Sequence, residues 1–154
     1  MKFRSLVCAV LGLTVAGSVL AQVQTPEELI KLRQGSFRVI GWHCAKVKAN
    51  LDGQYNKDEV LAASTVIQSV VNAGLSPLFA PGTDKGVGFH ESKAKADAVD
   101  PARNAKLGEI ASQFRKDANE LVKVASTGNK DAIRAQFGNL TKNCKACHDE
   151  YRIQ

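Results

Sequence analysis

Close to the C-terminus the chain reads "NCKACHDEYRIQ", which places Cys144, Cys147 and His148 within five residues. Two thiols three residues apart, followed at once by an imidazole, suit three kinds of chemistry. The thiols can add to the two vinyl groups of one haem as thioethers, with the adjacent histidine binding the iron from one side. They can cycle between dithiol and disulfide, which calls for a thiolate stabilised near a helix N-terminus. They can also act with the histidine as three zinc ligands, although no second Cys-x-x-Cys or His pair follows to complete a structural site. A chance match of buried cysteines is the plainest alternative.

The element that must carry the trio is a helix. Asn129 caps it, and apolar side chains follow at Ile133, Phe137, Leu140, Cys144, Cys147 or His148, and Tyr151, at helical spacing. Both cysteines and the histidine are therefore expected near a core-facing side, in the last turns. That position disfavours a redox dithiol and calls for a sizeable partner in the core. With the export signal described below and the complete pentapeptide, it weighs toward haem c held through Cys144 and Cys147. Arg152 lies one turn after His148. It suits a cation beside the iron's proximal side or an exposed cation at a helix C-terminus, and spacing alone does not choose.

Three more helices precede this one. The first opens with "TPEE": Thr25 as N-cap, Pro26 at the first helical position and Glu28 closing a capping box. Its stripe is Leu29, Phe37, Ile40, Cys44, Val47 and Leu51, and Gly53 ends it. Asn56 caps the second, with Val60, Ala63, Ile67, Val70, Val71, Leu75 and Leu78 on one side. Residues 80–100 show no period and read as a long crossover loop, of a length that is often functional or mobile. Asp100 and Pro101 are expected to start the third helix, whose stripe is Leu107, Ile110, Ala111, Phe114, Ala118, Leu121, Val122 and Ala125, stopped by Gly128. Four amphipathic helices with short first and last connections predict an all-α, antiparallel four-helix bundle.

The sixth iron ligand is constrained by composition. The only methionine is Met1, inside "MKFRSLVCAVLGLTVAGSVLA", where Lys2 and Arg4 precede an apolar run that ends in Val19 and Ala21. That is the pattern of a signal peptide cleaved after Ala21, leaving a single domain over 22–154 in the periplasm. A mature chain has no methionine to offer the iron. His43, His90, lysines, water or no ligand at all remain, and a lone histidine on a helix is more often structural than a ligand. A five-coordinate iron facing an apolar pocket follows. Arg33 interrupts the apolar side of the first helix and suggests a buried anion, with haem propionates the ones available; a side chain snorkelling to the surface is the plainer reading.

The formal net charge of +6 drops when Lys2 and Arg4 leave, and the remaining charges are scattered, which excludes a nucleic-acid footprint. No apolar run after the leader is long enough to span a membrane. Cys44 is expected to be a buried, inert thiol.

These residues resemble the cytochrome c′ family, the high-spin members of the class II c-type cytochromes. "KLRQ" on the first helix, "FAPGTD" after the second and "CKACHDEYR" at the end carry the resemblance, which covers essentially all of 22–154. Cytochromes c′ are themselves standard examples of the four-helix bundle, so the architecture and the family are not independent inferences. The resemblance implies thioethers at Cys144 and Cys147, His148 as proximal ligand and Arg152 as the proximal arginine. It implies Arg33 and Gln34 near the haem edge and propionates, Phe37 shielding the distal iron face, and Thr83 and Asp84 approaching the haem. It further implies a homodimer through the first two helices and an iron that binds NO, and often CO, rather than acting as an enzyme. An electron carrier is the rival reading: Lys142 and Lys145 flank the attachment site and suit an acidic periplasmic redox partner. A peroxidase-like haem enzyme would need His43 on the distal side.

Overall fold

The computed structural model describes residues 24–154. The expected leader, 1–21, and its cleavage point after Ala21 lie outside the described residues. The chain forms helices α1 (Pro26–Asp52), α2 (Lys57–Asn72), α3 (Ala96–Val99), α4 (Ala105–Thr127) and α5 (Lys130–Tyr151), with a 3-10 turn at Ser76–Phe79. The four long helices are an antiparallel bundle and α3 is a single turn within the crossover. Among the described residues no helix is long and apolar enough to cross a membrane.

Three helix starts follow the local sequence. Thr25 and Glu28 form the reciprocal capping box, with Thr25 N donating to Glu28 Oε2 at 2.8 Å and Glu28 N donating to Thr25 Oγ1 at 3.2 Å. Asn56 Oδ1 accepts from the backbone of Asp58 and Glu59, and Asn129 Oδ1 from Asp131 and Ala132. Each cap satisfies donors that the first turn of a helix leaves unpaired. Gly128, at φ +77°, ends α4 in the left-handed region and allows the tight α4–α5 corner.

Two boundaries differ from expectation. The second stripe does not run on to Leu78: α2 stops at Asn72, Gly74 turns the chain at φ +92°, and Ser76–Phe79 follow as a 3-10 turn. Asp100 and Pro101 do not start α4. Asp100 accepts from Ala102 N and Arg103 Nε, closing a separate turn, and the helix begins at Ala105. A local side-chain turn outcompetes the helix there.

The main core contains Ile40, Val47 and Leu51 of α1, Val60, Ile67 and Val71 of α2, Phe114, Ala118 and Leu121 of α4, and Ile133 and Leu140 of α5. Each large side chain fully buried there contributes about 1.5–3 kcal/mol. A second, smaller cluster joins Ala94, Ala98, Val99 and Tyr151, with Phe79, Leu107, Ile110 and Cys147 packed on it. The crossover is thus ordered by its own core rather than free.

The packing is uneven around the ring. α1 lies along α2, α2 along α4 and α4 along α5, but α1 and α5 make almost no close backbone approach. They meet at one end, where Arg134 of α5 donates to Asp52 Oδ1 at 3.0 Å and to the carbonyl of Leu51. Beyond that contact the two helices run past each other with a seam between them.

Candidate functional site

The seam is lined by one row of side chains from each wall. On α1, Leu51, Cys44 and Phe37 are spaced by seven residues, and so share one flank. On α5 the same spacing joins Arg134, Thr141 and His148. Leu51 and Arg134 touch. Because the helices are antiparallel, and Phe37 and His148 each lie about four turns from that contact, the two stand opposite each other across the seam. His148 is exposed because α1 does not close over it.

The two thiols divide between the two cores. Cys144 packs against the main core and Cys147 against the second cluster, and both are half-buried. Of the two candidates for the buried stripe, Cys147 takes it, while His148 is turned toward the seam. Burial pushes the thiol pKa of Cys144 up; burial and the neighbouring Cys144 do the same to Cys147. A redox dithiol needs the opposite shift. Among the described residues no three His, Cys, Asp or Glu side chains converge to hold a metal ion, which removes the zinc reading. Partial burial and the Arg152 charge lower the His148 pKa, with Asp149 opposing, and so favour the neutral imidazole that a metal ion takes. Arg152 itself is exposed just past the helix, its backbone N–H donating to His148 O at 3.2 Å.

Cys44 also lies on the seam. Burial, then the nearby Cys144, pushes its pKa up to about 12, so it stays a protonated thiol, as expected of an inert cysteine. Phe37 is 36 % exposed, and its ring meets Phe79 edge-on at 6.3 Å between centroids.

Arg33 is held by the crossover. Nη1 donates to Leu78 O and Thr83 Oγ1, both at 2.9 Å. Nη2 donates to Thr83 O at 2.6 Å and Ser92 Oγ at 2.9 Å. All four terminal N–H groups are thereby used on neutral oxygens. Burial lowers its pKa and the Asp84 carboxylate partly offsets this. Thr83 is fully buried within this latch, and Asp84 is half-buried beside it. Gln34 is likewise engaged by the crossover: its Oε1 accepts from Phe89 N at 2.7 Å and its Nε2 donates to His90 O at 2.9 Å.

The crossover spans the seam from wall to wall. On the α1 side Gly88 lies so close that a Cβ there would fall 2.5 Å from Gln34 Oε1 and 3.0 Å from Lys31 N. On the α5 side Lys95 N donates to Tyr151 O and Ile153 N to Lys93 O, while Lys95 Nζ donates to Glu150 O at 2.8 Å. Ser92 and Lys95 were not singled out from the sequence, and Phe79 entered only as the first residue of "FAPGTD". Phe79 carried a weak signal, next to Leu78 at the end of an apolar stripe; Ser92 and Lys95 carried none.

The remaining histidines lie elsewhere. His43 shares the α1 flank with Asn50, which bonds Glu59 of α2 at 2.9 Å, so it faces α2 and not the seam. Its Nδ1 is buried with no partner among the described residues. This removes the distal histidine that a peroxidase-like site required. His90 is exposed in the crossover, its Nδ1 2.8 Å from Glu91 O.

A family profile described as Cytochrome C′ matches residues 28–152. The chain belongs to the cytochrome c′ family. It is 45% identical to the cytochrome c′ of Rhodocyclus tenuis over 127 residues, which cover 82% of this chain and 94% of that one. It resembles a solved cytochrome c′ described as having a ligand-controlled dimer dissociation, with a TM-score of 0.80 and 39% identity, over 86% of this chain and 99% of the other. The Alcaligenes xylosoxidans cytochrome c′ superposes with a TM-score of 0.74 over 86% of this chain. Its variants were solved with carbon monoxide (27% identical, 100% of that chain covered) and with NO (26%, 99%). Cytochromes c′ carry covalently attached haem c and bind gaseous ligands. The residues here fit that group: two half-buried thiols at the junction of two cores, a neutral imidazole beside them, and an apolar ring opposite.

Proposed function

We propose that this chain is an exported haem c protein whose iron stays five-coordinate and binds NO, and CO, on the side facing Phe37. The observation that carries the reading is the seam, with Phe37 and His148 on its two walls and almost no close backbone approach between α1 and α5. Cys144 and Cys147 would hold the haem by thioethers, and His148 would bind the iron from the α5 side. When bound, the haem supplies a metal with one open coordination position. The chain supplies the rest. Phe37 and Ile40 offer no hydrogen bond and no charge, so the distal side disfavours anions and admits neutral diatomic gases. Among the described residues no second protein ligand is at hand: none is a methionine, His43 faces α2, and His90 is engaged by Gln34 and Glu91.

Arg152 fits a proximal cation, since its charge reaches His148. Arg33, Gln34, Thr83 and Asp84 act on the haem edge through the crossover they hold in place, rather than as direct anion ligands. Export to the periplasm rests on the leader. A homodimer is supported by exposed Leu32, Val39 and Trp42 on the outer side of α1. The electron-carrier alternative is weakened at its cue, because Lys145 is paired with Asp149 at 2.5 Å and Lys142 donates to Asn139. Its acidic redox partner would have to use other cations.

Absorption spectra of the purified holo-protein, oxidised, reduced and with NO, test this directly. High-spin five-coordinate spectra that change on NO addition are expected. A six-coordinate low-spin spectrum without added ligand would overturn the open distal side.

A further inference from the structure

Phe79 belongs to neither wall of the seam, yet three groups meet on it. The Arg33 guanidinium carbon lies 4.9 Å from its ring centroid. Phe37 meets it edge-on, with planes at 71°. Its other side packs on the cluster that includes Cys147. Arg33 also grips the carbonyl of Leu78, the residue just before, and ties that point to Thr83 and Ser92. Phe79 is therefore held by its backbone, by a cation on its face and by a core at its back. Phe37, by contrast, is part-exposed, and Phe79 is the aromatic ring it meets.

We propose that Phe79, fixed by the Arg33 latch, is the residue that sets ligand size selectivity, by limiting how far Phe37 can turn away from the seam. This rests on the reading that Phe37 faces the open coordination position. A diatomic must push Phe37 partly aside to reach the iron, and a longer ligand must push it further. Phe37 can then move only as far as Phe79 yields, and the latch resists that movement through four hydrogen bonds. The edge-on pair restrains Phe37 geometrically as well as energetically. Arg33 is accordingly a positioning residue that acts two contacts away from the ligand.

The test uses ferrous holo-protein, with carbon monoxide as the short probe and ethyl isocyanide as the long one. Phe79→Ala is expected to speed carbon monoxide association about three- to tenfold, the range an aromatic pair of this kind provides. Ethyl isocyanide should gain more, so the ratio of the two rates narrows. Arg33→Lys should shift both rates in the same direction as Phe79→Leu, and add nothing in a Phe79→Ala background. A readout independent of ligand entry is the ring-flip rate of labelled Phe37 in the carbon monoxide form, which should rise in Phe79→Ala. Phe37→Ala distinguishes the two levels. If it speeds entry and the Phe79 variants do not, the gate is overturned and the distal assignment of Phe37 stands. If neither residue alters entry, both fall. Haem content measured on each variant identifies folding failures, and Phe79→Leu carries the test if Phe79→Ala fails to fold.

Discussion

The two ends of the α1–α5 pair are built from the same two helices and held by different means. At the closed end Leu51 lies in the main core and Arg134 joins α5 to Leu51 and Asp52. At the open end the helices do not meet, and the crossover reaches from Arg33 and Gln34 on one wall to Tyr151 and Ile153 on the other. The closed end is stabilised by apolar burial, which is non-directional and cumulative. The open end depends on a few directional hydrogen bonds around Arg33. A protein that must keep a large planar group between two helices cannot let side chains close both ends, so one end supplies stability and the other shape.

The largest test of that contrast is a pair of truncations. Leu121, fully buried in the main core, should lose about 2–5 kcal/mol on replacement by alanine. Phe37→Ala at the open end should lose well under half of that, because the ring is already 36 % exposed. Urea denaturation of the two holo-variants measures both, and equal losses would erase the distinction.

A smaller effect is expected at the latch. Thr83→Val removes the hydroxyl that accepts from Arg33 and leaves a buried cationic donor short of a partner, at a cost of about 1–3 kcal/mol. Hydrogen exchange should rise across residues 80–92 and stay unchanged around Leu51 and Ile133. Uniform loosening would show that the crossover and the bundle form a single cooperative unit.

The smallest effect concerns His43, on the far side of α1 from the seam. Burial, then Lys46, lowers its pKa below the ordinary value near 6.5. Above that value both folded and unfolded chains hold it neutral. On acidification the unfolded chain takes the proton first, so its contribution to stability is lost as pH falls through that range toward the folded pKa. His43→Leu also removes a buried nitrogen that lacks a partner. The variant should be at least as stable as the parent near neutral pH. It should lose less stability between about pH 7.5 and about pH 5.5, with an unchanged haem spectrum. A changed spectrum would return His43 to the haem site. His148 shifts in the same direction, so the comparison must be made between two holo-proteins.

Particular residues show how far sequence reading reached. The Thr25, Asn56 and Asn129 caps and the four stripes were legible because each is a relation within a few residues. So was the confinement of methionine to Met1, which is a matter of composition. Asp100 was misread because an N-cap and a turn have the same local signature there, and only the bonds to Ala102 and Arg103 distinguish them. Arg33 was singled out as unusual, but the protein acceptors that hold it were not. Its acceptors at Leu78, Thr83 and Ser92 are between 45 and 59 residues away, beyond the reach of any periodicity. Phe79 was quoted only within "FAPGTD", and its role was not read because one aromatic ring after a broken stripe carries no spacing.

The sequence alone determined the helices, their caps and the adjacency of two thiols and an imidazole, because those depend on neighbours along the chain. It also determined that Met1 is the one methionine. The tertiary structure decided which side of α1 faces α5, that His43 faces α2, and that the crossover closes the seam through Arg33. Those outcomes depend on how two helices without a direct connection are rotated against each other. Packing across the whole bundle sets that rotation, and no local run of residues encodes it.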